Sequence, residues 1–154
     1  MTKLDSKDKK ILEIFGKNCR LPFQKIAKQT GIPITTIHNR VKRLEAEKII
    51  TGYKASVDQR KLGKMVSAFI AVTVDYKLLK AKKMTQNELA EQLLAHPAVE
   101  FSAMVTGTSD IIIKARVADT DALSQFVTVY LRNLDGVEKT QTSVVLNEAQ
   151  PKSL

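Results

Sequence analysis

Apolar residues first recur along this chain at helical spacing. Ile11, Leu12 and Phe15 form one stripe behind Asp5 and Ser6, two residues suited to capping a helix N-terminus, and Gly16 lies near the end of that stripe. Pro22 opens a second short helix at the first-turn position proline favours, with Phe23, Ile26 and Ala27 on its inner face. Gly31 then stops it where a left-handed residue is needed. A third helix runs from about Ile34 to Glu47, its stripe being Ile34, Ile37, Val41 and Leu44. Three helices, the last two joined by a tight glycine turn, predict a helix-turn-helix.

After Ile49-Ile50-Thr51-Gly52-Tyr53 the period changes from helical to alternating. Val66 to Val74 reads as a buried strand. Thr85 and Glu88 make a capping box for a helix lined by Leu89, Ala90, Leu93 and Leu94 and ended by His96-Pro97. Val99, Phe101, Ala103 and Val105 alternate as a strand, Gly107 to Asp110 is a turn, and Ile111, Ile113, Ala115 and Val117 form the next strand. Leu123, Phe126, Val127, Tyr130 and Leu131 line another helix, Gly136 breaks it, and Val137 to Leu146 is the last strand. The order βαββαβ predicts a ferredoxin-like sheet with helices on one face. Its other face is expected to show Met104, Ile112, Val144 and Leu146, an uncovered apolar surface that predicts association.

Charge divides the chain at the same place. Residues 1–64 hold 16 Lys and Arg against 6 Asp and Glu, whereas residues 65–154 hold 9 against 10. The whole +9 charge therefore belongs to the helical end, which points to a polyanionic partner there. A hydrophobic content of 44% suffices for packed cores and argues against disorder. The single Cys19 has no internal disulfide partner and no metal-ligand neighbours, as expected of a cytoplasmic protein. No run reaches a membrane span, and the basic residues are spread over three short elements rather than along one amphipathic helix. Double-stranded DNA is thus favoured over an acidic membrane.

Opposite the apolar stripe of the third helix lie Thr35 and Asn39, flanked by Thr36. A helix entering the major groove sets its N-terminal half nearest the bases, so these three are the base-edge candidates. His38 and Arg40 occupy the shoulders. Lys42 and Arg43, with Lys25 and Lys28 of the preceding helix, suit phosphates. For Arg40 a structural ion pair with Glu45 or Asp58 is the alternative. One such helix reads few base pairs, so a dimer on two half-sites is expected. RNA is a weaker option, because no strand carries the aromatic residues that stack unpaired bases.

The chain resembles the Lrp/AsnC, or feast/famine, family of prokaryotic transcriptional regulators, with wording closer to archaeal members. The resemblance is carried by Leu4-Asp5-Ser6-Lys7-Asp8 through Leu12, Gly31-Ile32-Pro33, Arg40-Val41-Lys42-Arg43-Leu44-Glu45, Ile49 to Tyr53, Leu62-Gly63, Val105 to Asp110, and Leu134-Asp135-Gly136-Val137 with Thr140-Gln141-Thr142 and Val145-Leu146. It implies a winged helix-turn-helix domain over 1–52, a hinge over 53–65, and a ferredoxin-like domain for oligomerisation and effector sensing over 66–150. It further implies homodimers assembled into tetramers or octamers, nucleoid association, and no cofactor beyond a possible amino acid effector. That effector would sit near Met104, Thr106, Gly107, Thr108, Ser109 and Asp110, with Asp110 on its ammonium and turn amides on its carboxylate. The alternative for the turn is structural, Gly107 supplying a positive φ and Asp110 a cap.

Three departures from the family pattern stand out. Thr108 occupies a place usually acidic, and Pro33 one where Ser is frequent, so a capping hydroxyl is missing. Residues 76–84, with Lys77, Lys80, Lys82 and Lys83, look like extra length; they read as a solvated, helix-extending loop, the alternative being an added phosphate contact. Two other functions fit parts of the pattern. A nucleoid-type architectural protein would bind DNA broadly through charge. Some relatives of the family are siroheme decarboxylases, but here His96 is the one histidine of the second domain and only Lys114 and Arg116 suit a tetrapyrrole. With no paired carboxylates and no nucleophile–base pattern, the expectation is a regulator and not an enzyme.

Overall fold

A computed structural model describes residues 3–148. The chain divides into two compact units, the first ending at Ser56 and the second beginning at Val57.

In the first unit α1 (Ser6–Lys17) starts at Asp5, whose carboxylate accepts from the N–H groups of Lys7 and Asp8 while the Asp8 carboxylate accepts from the Asp5 N–H. This reciprocal box satisfies donors that a helix start otherwise leaves unpaired. α2 (Phe23–Thr30) has Pro22 as its N-cap, one position earlier than the composition suggests. It ends on Gly31 at φ +70°, a conformation glycine adopts without steric cost. α3 (Ile34–Ala46) starts at Pro33 with no side-chain cap. Ile11, Ile26, Ile32, Ile37 and Val41 form the core between the three helices. Ile34 does not join it: as the first residue of α3 it lies at the rim and is exposed. Residues 51–58, the wing segment, have no ladder partner among the described residues.

The second unit is a four-stranded antiparallel sheet in the order β2-β3-β1-β4, from β1 (Val66–Val74), β2 (Val99–Met104), β3 (Ile111–Val117) and β4 (Val137–Val144). Between β1 and β2 lie α4 (Tyr76–Ala81) and α5 (Gln86–Ala95); between β3 and β4 runs α6 (Thr120–Gln125), continued by a wider π turn over Phe126–Tyr130 and a tight turn over Leu131–Asn133. The Thr85–Glu88 capping box is present at the start of α5. Ala68, Ile70, Val72 and Val74 of β1 pack with Ile111, Ile113, Ala115 and Val117 of β3 against Leu89, Leu93, Leu123, Phe126 and Leu131 of the helices. The extra segment 76–84 folds as a short helix, and Leu79 anchors it to this core.

Both edge strands differ from simple alternation. The pairing shifts between Val99 and Phe101 in β2, and between Thr73 and Val74 opposite β4. Each shift inserts one residue and reverses which side the rest of the strand faces. Phe101 therefore pairs with Lys114 on the open face instead of entering the core. Met104 pairs with core-facing Ile111, and Val144 with core-facing Ala68, so both lie on the helix-bearing side, at its uncovered margins. Leu146 lies beyond β4. The open face instead carries Phe69, Ala71, Phe101, Ala103 and Ile112, the last of these as the alternation predicts. Leu94 is exposed on α5 and is not part of its inner face.

Candidate nucleic-acid interface and sheet-turn site

The outer side of α3 divides into an open row and a locked one. Thr35, His38, Asn39 and Lys42 are exposed and Thr36 is half-buried. Lys25 and Lys28 are exposed on α2, and the His38 ring meets Phe23 edge-on at 6.0 Å, which ties that shoulder to α2. The row facing α1 is locked. Asp8 is 1% exposed; its carboxylate accepts from Arg40 Nη1 at 2.8 Å and from Arg43 Nη2 at 2.7 Å. Arg40 also reaches Asp5 at 2.6 Å. Arg40 thus pairs with α1, and not with Glu45 or Asp58. Glu45 instead accepts from the Tyr53 hydroxyl at 2.7 Å; with burial of that hydroxyl as the larger cause, this pushes Tyr53 up to about 12.

Electrostatics follow the geometry. Burial alone would raise Asp8, but the hydrogen bonds from Arg40, the Asp5 N–H and Arg43 together hold it below the usual carboxylate value. Asp5 is lowered to about 2, chiefly by the Asp8 N–H, with Arg40 adding to it. Arg40 is held more firmly protonated by Asp8 and Asp5. Two guanidinium groups of the basic face therefore orient α3 on α1, a use that charge alone does not reveal. A signal was present: Asp8 stands three residues before Ile11 and seven before Phe15, an acid on the apolar stripe, and Arg40 and Arg43 are one turn apart.

The second candidate site is the β2–β3 turn. Gly107 has φ +126°, as the turn requires. Asp110 is committed to the protein: one carboxylate oxygen accepts from the Val74 N–H at 2.9 Å and the other from the Tyr76 hydroxyl at 2.8 Å. Its backbone N–H donates to Val72 and its carbonyl accepts from Gln86 Nε2 and the Val105 N–H. The turn is thereby tied to the end of β1 and to both following helices. The Asp110 hydrogen bond, with burial adding, raises the Tyr76 hydroxyl above its ordinary value. Beside the turn lies an open hollow of about 720 Å³ lined by Gln86, Met104, Val105 and Thr106. Among the described residues, the N–H groups of Gly107, Thr108 and Ser109 meet no backbone acceptor.

On the open sheet face the Arg116 guanidinium bonds Glu100 at 2.7 Å and Glu148 at 2.9 Å, and Lys114 bonds Glu148. Lys114 also stands 5.8 Å from the Phe69 ring centroid. Both cations named above for a tetrapyrrole are thus neutralised on a sheet face. His96 caps α5, accepts from the Ala98 N–H, and packs against Tyr130 with ring centroids 4.3 Å apart and planes tilted by 40°; burial lowers its proton affinity. Among the described residues no group of three or more His, Cys, Asp or Glu is placed to hold a metal, and no helix is long and apolar enough to cross a membrane.

Comparison with known proteins covers both units. Residues 4–51 match a family described as winged helix-turn-helix DNA-binding, and residues 67–153 one described as the Lrp/AsnC ligand binding domain. The chain is 35% identical over 143 residues to the HTH-type transcriptional regulator FL11 of Pyrococcus furiosus, spanning 93% of this chain and 89% of that one. Among solved structures, it is similar to a Neisseria meningitidis transcriptional regulator, NMB0573, solved in complex with L-Met (TM-score 0.86, 29% identity, 99% and 96% of the two chains). It is also similar to E. coli AsnC (TM-score 0.81, 27% identity, 99% of each).

Proposed function

The chain belongs to the Lrp/AsnC family of transcriptional regulators, and from that premise we propose that it reads a two-half-site operator as a homodimer through Thr35, Thr36 and Asn39. The observation that carries this reading is the exposed Thr35–Asn39 row on a helix whose opposite flank is fixed by Asp8. A helix so held presents its N-terminal half in one orientation, which is what base readout needs. Asn39 suits adenine bidentately, and the threonines suit a thymine methyl or a base-edge hydrogen bond. Lys25, Lys28 and Lys42, exposed around that row, take phosphates, with His38 on the α2 shoulder. Arg40 serves to hold α3, and Arg43, 42% exposed, divides between Asp8 and the DNA backbone.

The dimer forms through the open sheet face. Phe69 and Phe101, 45% and 48% exposed, give that face its apolar area. Ion pairing of Lys114 and Arg116 with Glu100 and Glu148 removes the repulsion two such faces would otherwise meet. The dimers assemble further into tetramers or octamers.

The effector is an amino acid bound beside the β2–β3 turn. Unpaired N–H groups at Gly107, Thr108 and Ser109 suit its carboxylate, and Met104 and Thr106 line the hollow for its side chain. Asp110 holds the turn and offers only its remaining lone pairs to an ammonium. L-methionine is the first ligand to test, given the L-Met complex of the Neisseria relative.

Selection of bound duplexes from random DNA, run with the wild type and Asn39→Ala, tests the reading. The wild type should return a two-fold motif, and the variant the same motif relaxed at one position per half-site by about 1–3 kcal/mol. A wild type without sequence preference would make the protein an architectural binder; an unchanged motif would remove Asn39 from the readers.

A further inference from the structure

The ferredoxin-like unit is close to neutral, but its charges are sorted. Residues 65–148 carry eight Lys and Arg, six of which fall in two segments, 76–83 and 132–139. The fold joins those segments at one corner. The Asp75 N–H donates to the Gly136 carbonyl at 2.9 Å, Lys82 pairs with Asp135, and Val74 at the end of β1 pairs with Val137. Leu79 of α4 packs so closely on Gly136 that a Cβ there would come within 2.5 Å of it. Lys77, Lys80, Lys83, Arg132 and Lys139 are all exposed, and none has a carboxylate within 4 Å among the described residues. Arg132, Glu138 and Lys139 line one hollow of about 380 Å³ at the rim of β4.

The nearby acids do not cancel them. Asp75 is taken up capping α4, Asp135 holds Lys82, and Glu138 is the third. The corner keeps an excess of three positive charges. Elsewhere Lys114 and Arg116 are matched by Glu100 and Glu148, and what remains is five carboxylates, Glu88, Glu91, Asp110, Asp119 and Asp121, with no Lys or Arg. A solvated face of mixed sign would not sort itself this way. Compensation of a helix dipole accounts for Lys80 in the last turn of α4 and for Arg132 in the last turn of the helix that α6 begins, but not for Lys77 or Lys139.

We propose that this corner, built on Lys77, Lys80 and Lys83 of the α4 segment with Arg132 and Lys139 beside them, is a second phosphate-binding surface that holds duplex DNA flanking the operator. The inference rests on the operator reading above. Lysines on a short helix suit phosphates as point charges without base readout, so this contact adds affinity but no sequence preference. Each phosphate neutralised releases a condensed counterion, and the salt dependence counts the contacts.

The test uses the full chain and its Lys77→Gln/Lys80→Gln/Lys83→Gln variant, with Lys82 kept because it pairs with Asp135. Binding is measured against salt on two duplexes: the selected motif alone, and the motif with random-sequence flanks of about one and a half helical turns each side. On the flanked duplex the variant should lose about 2–3 from the slope of log K against log salt, roughly 0.9 per lysine. On the bare motif the two proteins should agree. Equal slopes on both duplexes would overturn the proposal while leaving the operator reading intact. An unchanged slope with a smaller mass in light scattering would give the corner to a second copy of the chain, and also overturn it. A wild type that binds neither duplex would sink the operator reading as well.

Discussion

Asp8→Asn is the most direct probe of what fixes α3. The change keeps the shape of the side chain and removes its charge, leaving Arg40 and Arg43 facing each other without the anion between them. Breaking a fully buried pair costs about 3–5 kcal/mol. Here Asp8 is 1% exposed, but Arg40 and Arg43 are 21% and 42% exposed and regain water, so the expected loss is about 2–3 kcal/mol. The arginines should rank below Asp8. Arg40→Ala removes two carboxylate contacts and should cost more than Arg43→Ala, after which Arg40 still holds Asp8. The chain has two units, so native-state hydrogen exchange of the Val41 and Leu44 amides is the assay, reporting opening of the helical unit by itself. The pH dependence follows from the lowered carboxylate. The stability Asp8 supplies is complete above its ordinary value of 3.8 and disappears as the pH falls through its folded value, so Asp8→Asn should flatten the acid limb. A loss under 0.5 kcal/mol, or an acid limb unaltered by the substitution, would refute the claim that Asp8 locks α3.

Other outcomes follow from the same geometry. Lys42→Ala should lower the salt slope of DNA binding by about 0.9, and Arg43→Ala by less, because Asp8 already neutralises part of that guanidinium; equal drops would mean Arg43 leaves Asp8 when DNA binds. Gly136→Ala should destabilise the sheet unit by about 1–3 kcal/mol, since φ is +91° and the added methyl meets Leu79; a denaturation midpoint unchanged from wild type would contradict that packing. Phe69→Arg, which sets a second cation beside Lys114, should give monomers at micromolar concentration by light scattering; a dimer that persists moves the interface elsewhere. Burial favours neutral His96, so acidification below about 6.5 favours the unfolded chain, which takes up the proton first; His96→Phe should remove that slope from stability measured between pH 5 and 7.

What the sequence makes legible is local. The Asp5 start of α1, the Gly31 turn, the Thr85–Glu88 box and the extent of β1 each depend on residues a few positions apart, and all stand where spacing puts them. What it hides is decided at long range. The Asp8 contacts to Arg40 and Arg43 join residues 32 and 35 apart, so the sequence offers Arg40 only the nearer acids Glu45 and Asp58 as partners and leaves Arg43 to phosphates, when a single buried carboxylate engages both. The bulges at Glu100 and Glu138 are invisible to a period-two pattern because both insertions fall on charged residues that either face tolerates. One inserted residue in β2 exchanges Met104 for Phe101 on the open face, and one in β4 takes Val144 off it, whereas Phe69 stands there by the plain alternation of β1. At the turn, the Gly107 conformation is readable from composition, whereas the commitment of Asp110 to Val74 and Tyr76 depends on strands that meet only in the folded chain.

Those two insertions also bear on what kinds of assembly the protein avoids. An outermost strand offers a ladder of free amides and carbonyls onto which another polypeptide can zip, and repeated zipping yields ribbons without limit. A kink in each of the two outermost strands spoils that template on both sides at once. Growth by lateral addition is thereby discouraged, and the homodimer proposed above would close on itself rather than extend into a ribbon.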